Sequence, residues 1–523
     1  MGAGMEDDMT NWLQDAVFYE IYPQSFQDSN DDGIGDFNGI IDRLDYIREL
    51  GCNAIWMNPC YDSPFADAGY DVRDYKKPAG RYGTMENLVR LFEEVHKRQM
   101  HILLDLVPGH TSEEHKWFRE SGKAERNEYS DRYIWTDAWL MRADGFAYIA
   151  GECERNGTYI LNFFKCQPAL NYGFLHPDKP WQKAMDDPAC LATRDAMRDV
   201  MRFWLDKGCD GFRVDMADSL VKNDDEVKSG TCKVWRDLFK SVQREYPEAV
   251  FVSEWNNPRS AIGMAGFQMD FFLDWPDNGY HKLLRDYDEN GLDNSFFKKD
   301  SNRSILDFLE EYLPKYEAVK EQGFYCLITG NHDTVRAAYH LEERELKLAY
   351  AFLLTMPGAP FIYYGDEIGM RYQQLPTKEG GYTRTGSRTP MQWTDGINCG
   401  FSGADADSLY LPVDMDEGAP TVENQQKRAD SLYHTVKNVL ALRHAEKAFT
   451  RHDNLEILTA EKNLRSFVYQ RDDLVFVCNP SGREEQIPWQ IAAGEKLFEI
   501  GSIVLQKESC LAGPQSYAVF RRI

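Results

Sequence analysis

The segment CDGFRVD, residues 209–215, predicts a short buried strand that ends on a carboxylate. Residues i and i+2 of a strand point to the same face, so Arg213 and Asp215 project side by side. The guanidinium would hold the Asp215 carboxylate ionised and fix its direction. The pair is either an ion pair that closes the end of a strand or an oriented nucleophile. The segment alone does not distinguish the two.

Strands and helices alternate on both sides of this segment, which predicts parallel strands joined by helical crossovers. About eight strand–helix units fit the chain, the number that closes a (β/α)8 TIM barrel. The predicted strands are 17–22, 54–57, 102–107, 209–215, 249–253, 269–273, 324–328 and 360–364. The predicted helices are 40–50, 85–98, 191–206, 235–245, 305–319, 342–354 and 432–443.

Two regions break this alternation. Residues 108–185 are polar and aromatic, and we expect them to form an inserted domain, domain B, after the third strand. From about residue 454 onward, short β-type runs are separated by charged turns, which is typical of a small antiparallel β-sandwich. The predicted organisation is a catalytic barrel at 10–107 and 186–448, domain B at 108–185, and a C-terminal β domain at 449–523.

Composition excludes several classes of function. Lys plus Arg is 59 and Asp plus Glu is 85, which gives a formal charge of −26 and argues against nucleic-acid or anionic-membrane partners. The eleven cysteines include no Cys-x-x-Cys pair, which argues against a disulfide framework and a structural zinc site. The first residues lack a signal-peptide pattern, and no apolar run reaches about 18 residues. We therefore expect a cytoplasmic protein that acts as a monomer or homodimer.

Charged residues follow the predicted strands at their carboxyl ends, where barrel enzymes place their working groups. They are Asp105, His110, Arg213, Asp215, Glu254, His332 and Asp333. Two carboxyl groups about 5–5.5 Å apart are the pair that a retaining glycosidase uses. A metal site is the main competing interpretation of clustered histidine and aspartate residues.

Four of these motifs together resemble, in order and spacing, the α-amylase family of glycoside hydrolases. They are Asp105 to His110, Gly211 to Asp215, Glu254, and Asn331 to Asp333, and the resemblance covers nearly the whole chain. The segments GYD (69–71) and RTPMQW (388–393) resemble the exo-acting group around oligo-1,6-glucosidase, α-glucosidase, trehalose synthase and sucrose isomerase.

The resemblance implies a role for each residue. Asp215 is expected to be the nucleophile, Glu254 the general acid/base, and Asp333 the carboxylate that stabilises the transition state. Asp71 is either a residue that binds the non-reducing end of the substrate or a turn aspartate. The substrate-binding residues that the resemblance implies are Tyr70, Asp71, His110, Arg213, His332 and Arg388, with Arg213 orienting Asp215 and Tyr70 stacking on the sugar.

The segment DSNDDGIGD, residues 28–36, has oxygen-bearing side chains at positions 1, 3, 5 and 9 and a glycine at position 6, the arrangement of a calcium loop. The expected ligands of a structural Ca²⁺, with Mg²⁺ as an alternative, are Asp28, Asn30, Asp32, the Ile34 carbonyl and Asp36. The twelfth position is Gly39, so the glutamate of an EF-hand is missing. A solvated acidic turn is the other interpretation.

Three positions depart from the family pattern. Gly109 and Ala169 stand where the family usually has Asn and Asp, and Met216 follows the expected nucleophile. Met216 fits neither linkage preference that the family associates with this position. The expected activity is therefore a retaining exo-α-glucosidase that acts on small α-glucosides without an organic cofactor, with a transglucosylase or isomerase as the alternative. A catalytically inactive partner of a membrane transporter is disfavoured, because such relatives lack the carboxylates.

Overall fold

The computed structural model describes residues 11–288, 290–488, 494–506 and 509–522. In this part of the chain, eight strands form one parallel sheet in the order β7-β6-β5-β4-β3-β2-β1-β8. They are β1 (Phe18–Ile21), β2 (Ala54–Met57), β3 (His101–Leu106), β4 (Gly211–Val214), β5 (Val250–Ser253), β6 (Met269–Phe271), β7 (Phe324–Cys326) and β8 (Phe361–Tyr363). A parallel bridge from Ile328 to Phe361 joins the two outer strands, so the sheet closes into the predicted barrel.

Helices cover the outside of the barrel. The longer ones are α1 (Phe37–Leu50), α2 (Met85–Lys97), α3 (Pro188–Asp206), α4 (Ser229–Glu245), α5 (Leu306–Glu317), α6 (Glu343–Thr355) and α7 (Leu432–Ala445). Between β5 and β6, the short helix Pro258–Ser260 continues into a π-helical turn, Ala261–Ala265. No helix within the described ranges has the length and apolar character needed to cross a membrane.

Gly211 lets β4 begin close to its neighbour β5. Its φ is +145°, and a Cβ atom there would lie 1.9 Å from the carbonyl oxygen of Val250. Any larger residue would push the two strands apart. The glycine therefore fixes the strand that carries Arg213 and leads directly to Asp215.

The region between β3 and α3 has its own small core, as expected for an insertion after the third strand. It contains the helix Lys116–Ser121 and an antiparallel hairpin of Tyr148–Ala150 and Thr158–Ile160. The apolar cluster includes Ile134, Ile160, Ala169 and Phe174, and Ala169 is completely buried in it. A carboxylate at position 169 would enter this apolar core, where burial without a partner is costly.

The C-terminal region forms two antiparallel sheets. Its strands are β9 (Leu455–Ala460), β10 (Phe467–Arg471), β11 (Leu474–Asn479), β12 (Glu485–Ile487), β13 (Lys496–Ile500), β14 (Ile503–Leu505), β15 (Cys510–Ala512) and β16 (Ser516–Arg521). The orders are β9-β10-β11-β16-β13 and β12-β15-β14. Side chains from both sheets, among them Val475, Val477 and Ile503, share one apolar cluster, so the sheets pack as the predicted sandwich.

One buried arginine, Arg471, joins the C-terminal sheets to the barrel, and a second, Arg443, binds the same turn from within the barrel. Arg471 on β10 donates to the carbonyl oxygens of Thr355 (2.9 Å) and Met356 (3.2 Å). Arg443 on α7 donates to Met356 (3.2 Å) and Gly358 (2.6 Å). The end of α6 and the turn after it therefore have their carbonyl groups satisfied by side chains from outside the helix.

Candidate active site

Arg213 joins three carboxylates at the carboxyl end of the barrel. Its Nη1 donates to Asp105 Oδ1 (2.9 Å) and Asp215 Oδ1 (3.2 Å), and its Nη2 lies 2.9 Å from Glu254 Oε2. The arginine is only 1% exposed, so these contacts supply the counter-charges that a buried guanidinium needs. The segment 209–215 therefore contributes Arg213 and Asp215 to a larger charged cluster. The side chains of this cluster come from the carboxyl ends of β3, β4 and β5.

Glu254 is held by one of its two oxygens. Oε2 forms an ion pair with Arg213 (2.9 Å) and accepts from the backbone N–H of Met216 (2.8 Å). To make that contact, Met216 adopts a φ of +40°, a conformation rarely used by side chains other than glycine and asparagine. Because Arg213 and Met216 both contact Oε2, the other oxygen of Glu254, Oε1, is the one available for proton transfer.

Asp333 lies against two arginines. Its Oδ1 accepts from Arg384 Nη1 (2.8 Å) and from Arg388 Nη2 (3.0 Å). Burial alone would raise the pKa of Asp333, but the charges on Arg384 and Arg388 hold that pKa below its usual value. Asp333 is therefore an anion at every pH where the protein would work.

The predicted sugar-contacting histidines are both buried beside the cluster. His332 Nε2 lies 2.7 Å from the Tyr70 hydroxyl and 3.5 Å from Asp333 Oδ2. His110 Nε2 lies 3.1 Å from the Tyr70 carbonyl oxygen. Tyr70 also donates to Asp105 Oδ2 (2.9 Å), so its hydroxyl is part of the hydrogen-bond network in addition to any contact its ring makes.

The structure corrects the expectation for Asp71. Its carboxylate is fully buried and accepts from Ser63 Oγ (3.0 Å) and from the backbone N–H groups of Ala66 (2.8 Å) and Asp67 (3.0 Å). These contacts make it the turn aspartate of the loop after β2. Asp67, to which the sequence analysis assigns no role, faces the cavity from this loop, as Tyr70 does.

Asp67 and Arg384 lie together at one side of the cavity. Arg384 Nη2 is 3.7 Å from Asp67 Oδ1, and Gln167 donates to Asp67 Oδ2 (2.7 Å). Burial raises the pKa of Asp67 to about 7. Both residues lie close to predicted substrate-binding residues, since Asp67 precedes Tyr70 by three positions and Arg384 precedes Arg388 by four. Neither spacing by itself predicts which side chain faces inward.

These groups surround a cavity of about 150 Å³. A cavity of about 150 Å³ accommodates a six-membered ring such as benzene, which is the scale of a single sugar ring. The lining residues are Asp67, Tyr70, His110, Phe163, Asp215, Met216, Glu254, His332, Asp333 and Arg384. Phe163, which is 49% exposed, brings an aromatic ring to this cavity from domain B.

Gly109 lies where domain B meets the barrel. A Cβ atom at this position would be 2.7 Å from Asn162 Nδ2 and 2.8 Å from Ser219 Oγ. Asn162 uses the space, because its amide contacts His110 Nδ1 (3.2 Å) and accepts from Lys222 Nζ (2.8 Å). The polar group that the family usually places at position 109 is thus replaced by one from domain B.

The loop 28–36 is closed by hydrogen bonds. Asp28 Oδ1 accepts from the N–H groups of Asn30 (3.0 Å) and Asp31 (2.9 Å), and Oδ2 accepts from Gly33 N (2.8 Å) and Ser402 Oγ (2.6 Å). A carboxylate offers about four lone-pair sites, and all of them are used here. Within the described residues, no three acidic, histidine or cysteine side chains gather as metal ligands.

Asp28 in this arrangement therefore has no acceptor site left for a calcium ion, whereas Asn30 and Asp32 keep unused ones. The amide and carboxylate oxygens of Asn30 and Asp32 accept from the backbone two residues further on, at 3.0 Å and 2.9 Å. Asp36 accepts from Ser29 and caps α1 through the Gly39 N–H (2.8 Å). Calcium, with Ile34 supplying a carbonyl oxygen, stays a prediction from the sequence.

Comparison with known proteins shows the family. The model of the alpha-amylase catalytic domain matches residues 20–452. The chain belongs to the alpha-amylase family. It is similar to "Trehalose synthase/amylase TreS" of Mycolicibacterium smegmatis, with 33% identity over 84% of this chain and 77% of that protein. It is also similar to the oligo-1,6-glucosidase of Heyndrickxia coagulans, with 31% identity over 89% of this chain and 90% of that protein.

A solved structure agrees with this placement in the alpha-amylase family. A mutant isomaltulose synthase from Erwinia rhapontici NX5, in complex with D-glucose, superposes with a TM-score of 0.81 and 25% identity, over 99% of this chain and 100% of that chain. The predicted fold and the predicted branch of the alpha-amylase family are therefore confirmed, and the chain is a glycoside hydrolase.

Proposed function

We propose that this chain is a retaining, exo-acting α-glucosidase that removes terminal α-linked glucose from short saccharides. The observation that carries the proposal is the contact of one guanidinium, Arg213, with both Asp215 and Glu254 beside a cavity the size of one sugar ring. A single cation in contact with both carboxyl groups supports the close spacing of a retaining pair, about 5–5.5 Å.

Protonation of the pair suits this mechanism. Burial raises the pKa of Glu254, and burial together with the neighbouring Glu254 raises the pKa of Asp215. Two adjacent carboxyl groups do not both ionise readily, so the pair keeps one proton more readily than an isolated carboxyl group would. The mechanism places that proton on Glu254 Oε1, the oxygen that neither Arg213 nor Met216 occupies.

The reaction then has two steps. Glu254 donates its proton to the glycosidic oxygen while Asp215 attacks the anomeric carbon, which breaks the glycosidic bond and forms a covalent glycosyl-enzyme. In the second step, Glu254 takes a proton from water while the water oxygen attacks the anomeric carbon. The bond between that carbon and Asp215 breaks, which releases the sugar and restores the carboxylate. Asp333, held as an anion by Arg384 and Arg388, stabilises the positive charge that develops on the sugar ring.

Exo-action is supported by the small cavity and by Asp67 with Arg384. A carboxylate and a guanidinium 3.7 Å apart present acceptors and donors to sugar hydroxyl groups at one side of the cavity. We assign these two residues, in place of Asp71, to binding the non-reducing glucose. The substrate is a small α-glucoside, and the linkage is part of the test below.

The second candidate is a transglucosylase or isomerase on the same residues. It is favoured by the exposed rings of Phe163 and Tyr382, 49% and 59% exposed, which offer stacking surfaces to a sugar acceptor. Phe164 connects them, because its ring lies 4.4 Å from Phe163 and 5.9 Å from Tyr382. In this case a sugar replaces water in the second step.

The deciding experiment is a product profile. The protein is incubated with sucrose, maltose, isomaltose and trehalose, and free glucose and transfer products are quantified separately. The anomeric form of the first glucose released is followed by NMR. We expect α-glucose as the main product. Transfer products in excess of glucose would favour the second candidate, and β-glucose would exclude a retaining enzyme. Asp215→Ala serves as the control, and undiminished cleavage of an aryl α-glucoside by that variant would refute the assignment.

A further inference from the structure

A buried carboxyl group lies behind His332 and has no role in the mechanism above. Glu20, on β1, is completely buried and does not line the cavity. Its Oε1 lies 2.8 Å from His332 Nδ1 and accepts from Asn58 Nδ2 (3.1 Å). Its Oε2 has no hydrogen-bond partner among the described residues.

The opposite edge of His332 shows where the imidazole carries a proton. Nε2 lies 2.7 Å from the Tyr70 hydroxyl, and that hydroxyl lies 2.9 Å from Asp105 Oδ2. Asp105 pairs with Arg213, so its carboxylate only accepts and the single proton of Tyr70 is directed to it. The short contact between Tyr70 and His332 then requires Nε2 to be the donor.

The protonation of Nε2 fixes what lies between His332 and Glu20. A neutral imidazole with a proton on Nε2 has a lone pair on Nδ1. An ionised carboxylate 2.8 Å from that lone pair would be repelled, so Glu20 must hold a proton and donate it to Nδ1. Burial raises the pKa of Glu20 and lowers the pKa of His332, which favours this neutral pair over a carboxylate beside an imidazolium.

The unpartnered oxygen of Glu20 agrees with this protonation. An ionised carboxylate oxygen buried without a donor is very costly, whereas the carbonyl oxygen of a neutral acid is much less so. Oε2 is such an oxygen, and the neighbouring amide donates to Oε1 instead.

We propose that Glu20 is a positioning residue that holds His332 in the tautomer with its proton on Nε2. The proposal rests on the proposed function, in which His332 lies beside the bound sugar. This tautomer presents a donor 3.5 Å from Asp333 Oδ2 and next to the cavity. The Asn58 amide also lies 3.1 Å from Nδ1. Loss of Glu20 therefore weakens the preference for this tautomer without abolishing it, and any lone pair left on Nε2 would face the Asp333 carboxylate.

The direct test is the tautomer of His332, which does not depend on turnover. Protein with ¹⁵N-labelled histidine is studied by two-bond ¹H–¹⁵N correlation spectra at neutral pH, and His332→Gln identifies the signals of His332. We expect a protonated Nε2 and an unprotonated Nδ1 in the wild type. We expect the same in Glu20→Gln, whose amide N–H also donates to Nδ1, and a redistributed proton in Glu20→Leu. A proton on Nδ1, alone or in an imidazolium, in the wild type would overturn the proposal even if no variant folded.

Kinetics on an aryl α-glucoside provide the second test. Glu20→Leu is expected to lower kcat about 10–100-fold, the effect typical of losing the partner that orients an active-site histidine, with a smaller change in KM. Glu20→Gln is expected to restore most of the rate. Equal losses in both variants, or none in Glu20→Leu, would overturn the proposal.

Glu367→Gln is the matched control. Glu367 is also completely buried, and it accepts from the hydroxyls of Tyr19 (2.8 Å) and Tyr46 (2.6 Å) without lining the cavity. Its substitution should change stability and leave kcat and the His332 signals as in the wild type. Inactivity of the wild type would refute the proposed function, and the NMR result would still decide the role of Glu20.

Discussion

Single residues in this protein differ in how far the sequence determines their roles. Asp215, Glu254 and Asp333 follow strands, and the period of a strand and the topology of a barrel together bring such residues to one rim. Asp67, Asp71 and the other residues of their loop follow no such period. The two aspartates are four positions apart, and only the hydrogen bonds of the folded loop decide that Asp71 turns inward and Asp67 faces the cavity.

This difference between the two aspartates is testable by a pair of substitutions. Asp67→Asn removes a charge from the cavity, so we expect kcat/KM for a small α-glucoside to fall with no loss of thermal stability. Asp71→Asn removes a carboxylate that accepts from two backbone N–H groups, at a cost of about 1.5–3 kcal/mol per lost charged hydrogen bond. We expect a lower melting temperature for Asp71→Asn, measured by calorimetry. The opposite pattern would restore Asp71 as the sugar-binding residue.

Asp67 also predicts a pH dependence of substrate binding. Its pKa is raised to about 7, above the usual value of about 3.9, so the carboxylate forms only as the pH rises through about 7. The raised pKa means that the folded state binds the proton more tightly than the unfolded state. The stability that this proton contributes is therefore lost as the pH rises from about 4 to about 7 and does not change further above about 7.

We therefore expect KM for a small α-glucoside to rise as the pH falls from about 8 to about 6, because the anion that binds sugar hydroxyls is lost. Steady-state kinetics in buffers of constant ionic strength measure this, and Asp67→Asn is the control whose KM should stay flat over the same interval. A wild-type KM independent of pH would contradict the assignment of Asp67.

At the scale of elements, the barrel strands were predictable because they are short apolar runs followed by polar residues. The strand predicted at 102–107 is observed as His101–Leu106, and the helix predicted at 432–443 as Leu432–Ala445. The loop 28–36 shows what such patterns omit. Its spacing is that of a calcium loop, yet Ser402, from a distant part of the chain, fills the last acceptor site of Asp28. No local pattern contains that contact.

The loop leads to a prediction for metal dependence. The acceptor sites of Asp28, the first expected ligand, are occupied by protein donors. We therefore expect removal of divalent cations with EDTA, or addition of Ca²⁺, to shift the melting temperature by less than about 2 °C. Differential scanning fluorimetry measures this shift. Ser402→Ala frees one lone pair of Asp28 and is the variant in which a calcium effect should appear first. A large stabilisation of the wild type by Ca²⁺ would support the calcium site predicted from the sequence.

At the scale of the whole molecule, the C-terminal sandwich is held to the barrel by buried hydrogen bonds. Arg471 crosses between them and donates to Thr355 and Met356, and the hydroxyl of Thr355 contacts those of Tyr469 (2.6 Å) and Tyr517 (2.8 Å). Sequence patterns located both regions but not this contact, since arginine is most often a surface residue.

Replacing this arginine tests the connection. Arg471→Met should destabilise the protein by about 1–3 kcal/mol for each backbone carbonyl left without a donor. Urea denaturation followed by fluorescence measures the change. Arg451→Met is the matched control. The exposed side chain of Arg451 forms ion pairs, among the residues that the structure describes, only with Asp453 and Asp472, so its loss should stay within about 0.5 kcal/mol. Equal stability of both variants would show that the buried contacts do not hold the regions together.

Some cavity residues lie on or next to barrel strands and others lie on loops, and this difference affects how such proteins can acquire new substrates. Arg213 lies within a barrel strand and Asp215 directly follows it, whereas Asp67, Phe163 and Arg384 lie outside the barrel strands, on loops and short turns. Loops tolerate insertion and substitution far better than the strands of a closed barrel. New substrates can therefore arise by changes in these connecting segments while bond cleavage is inherited intact. Preference for a sugar and the capacity to break its bond are then separately heritable traits.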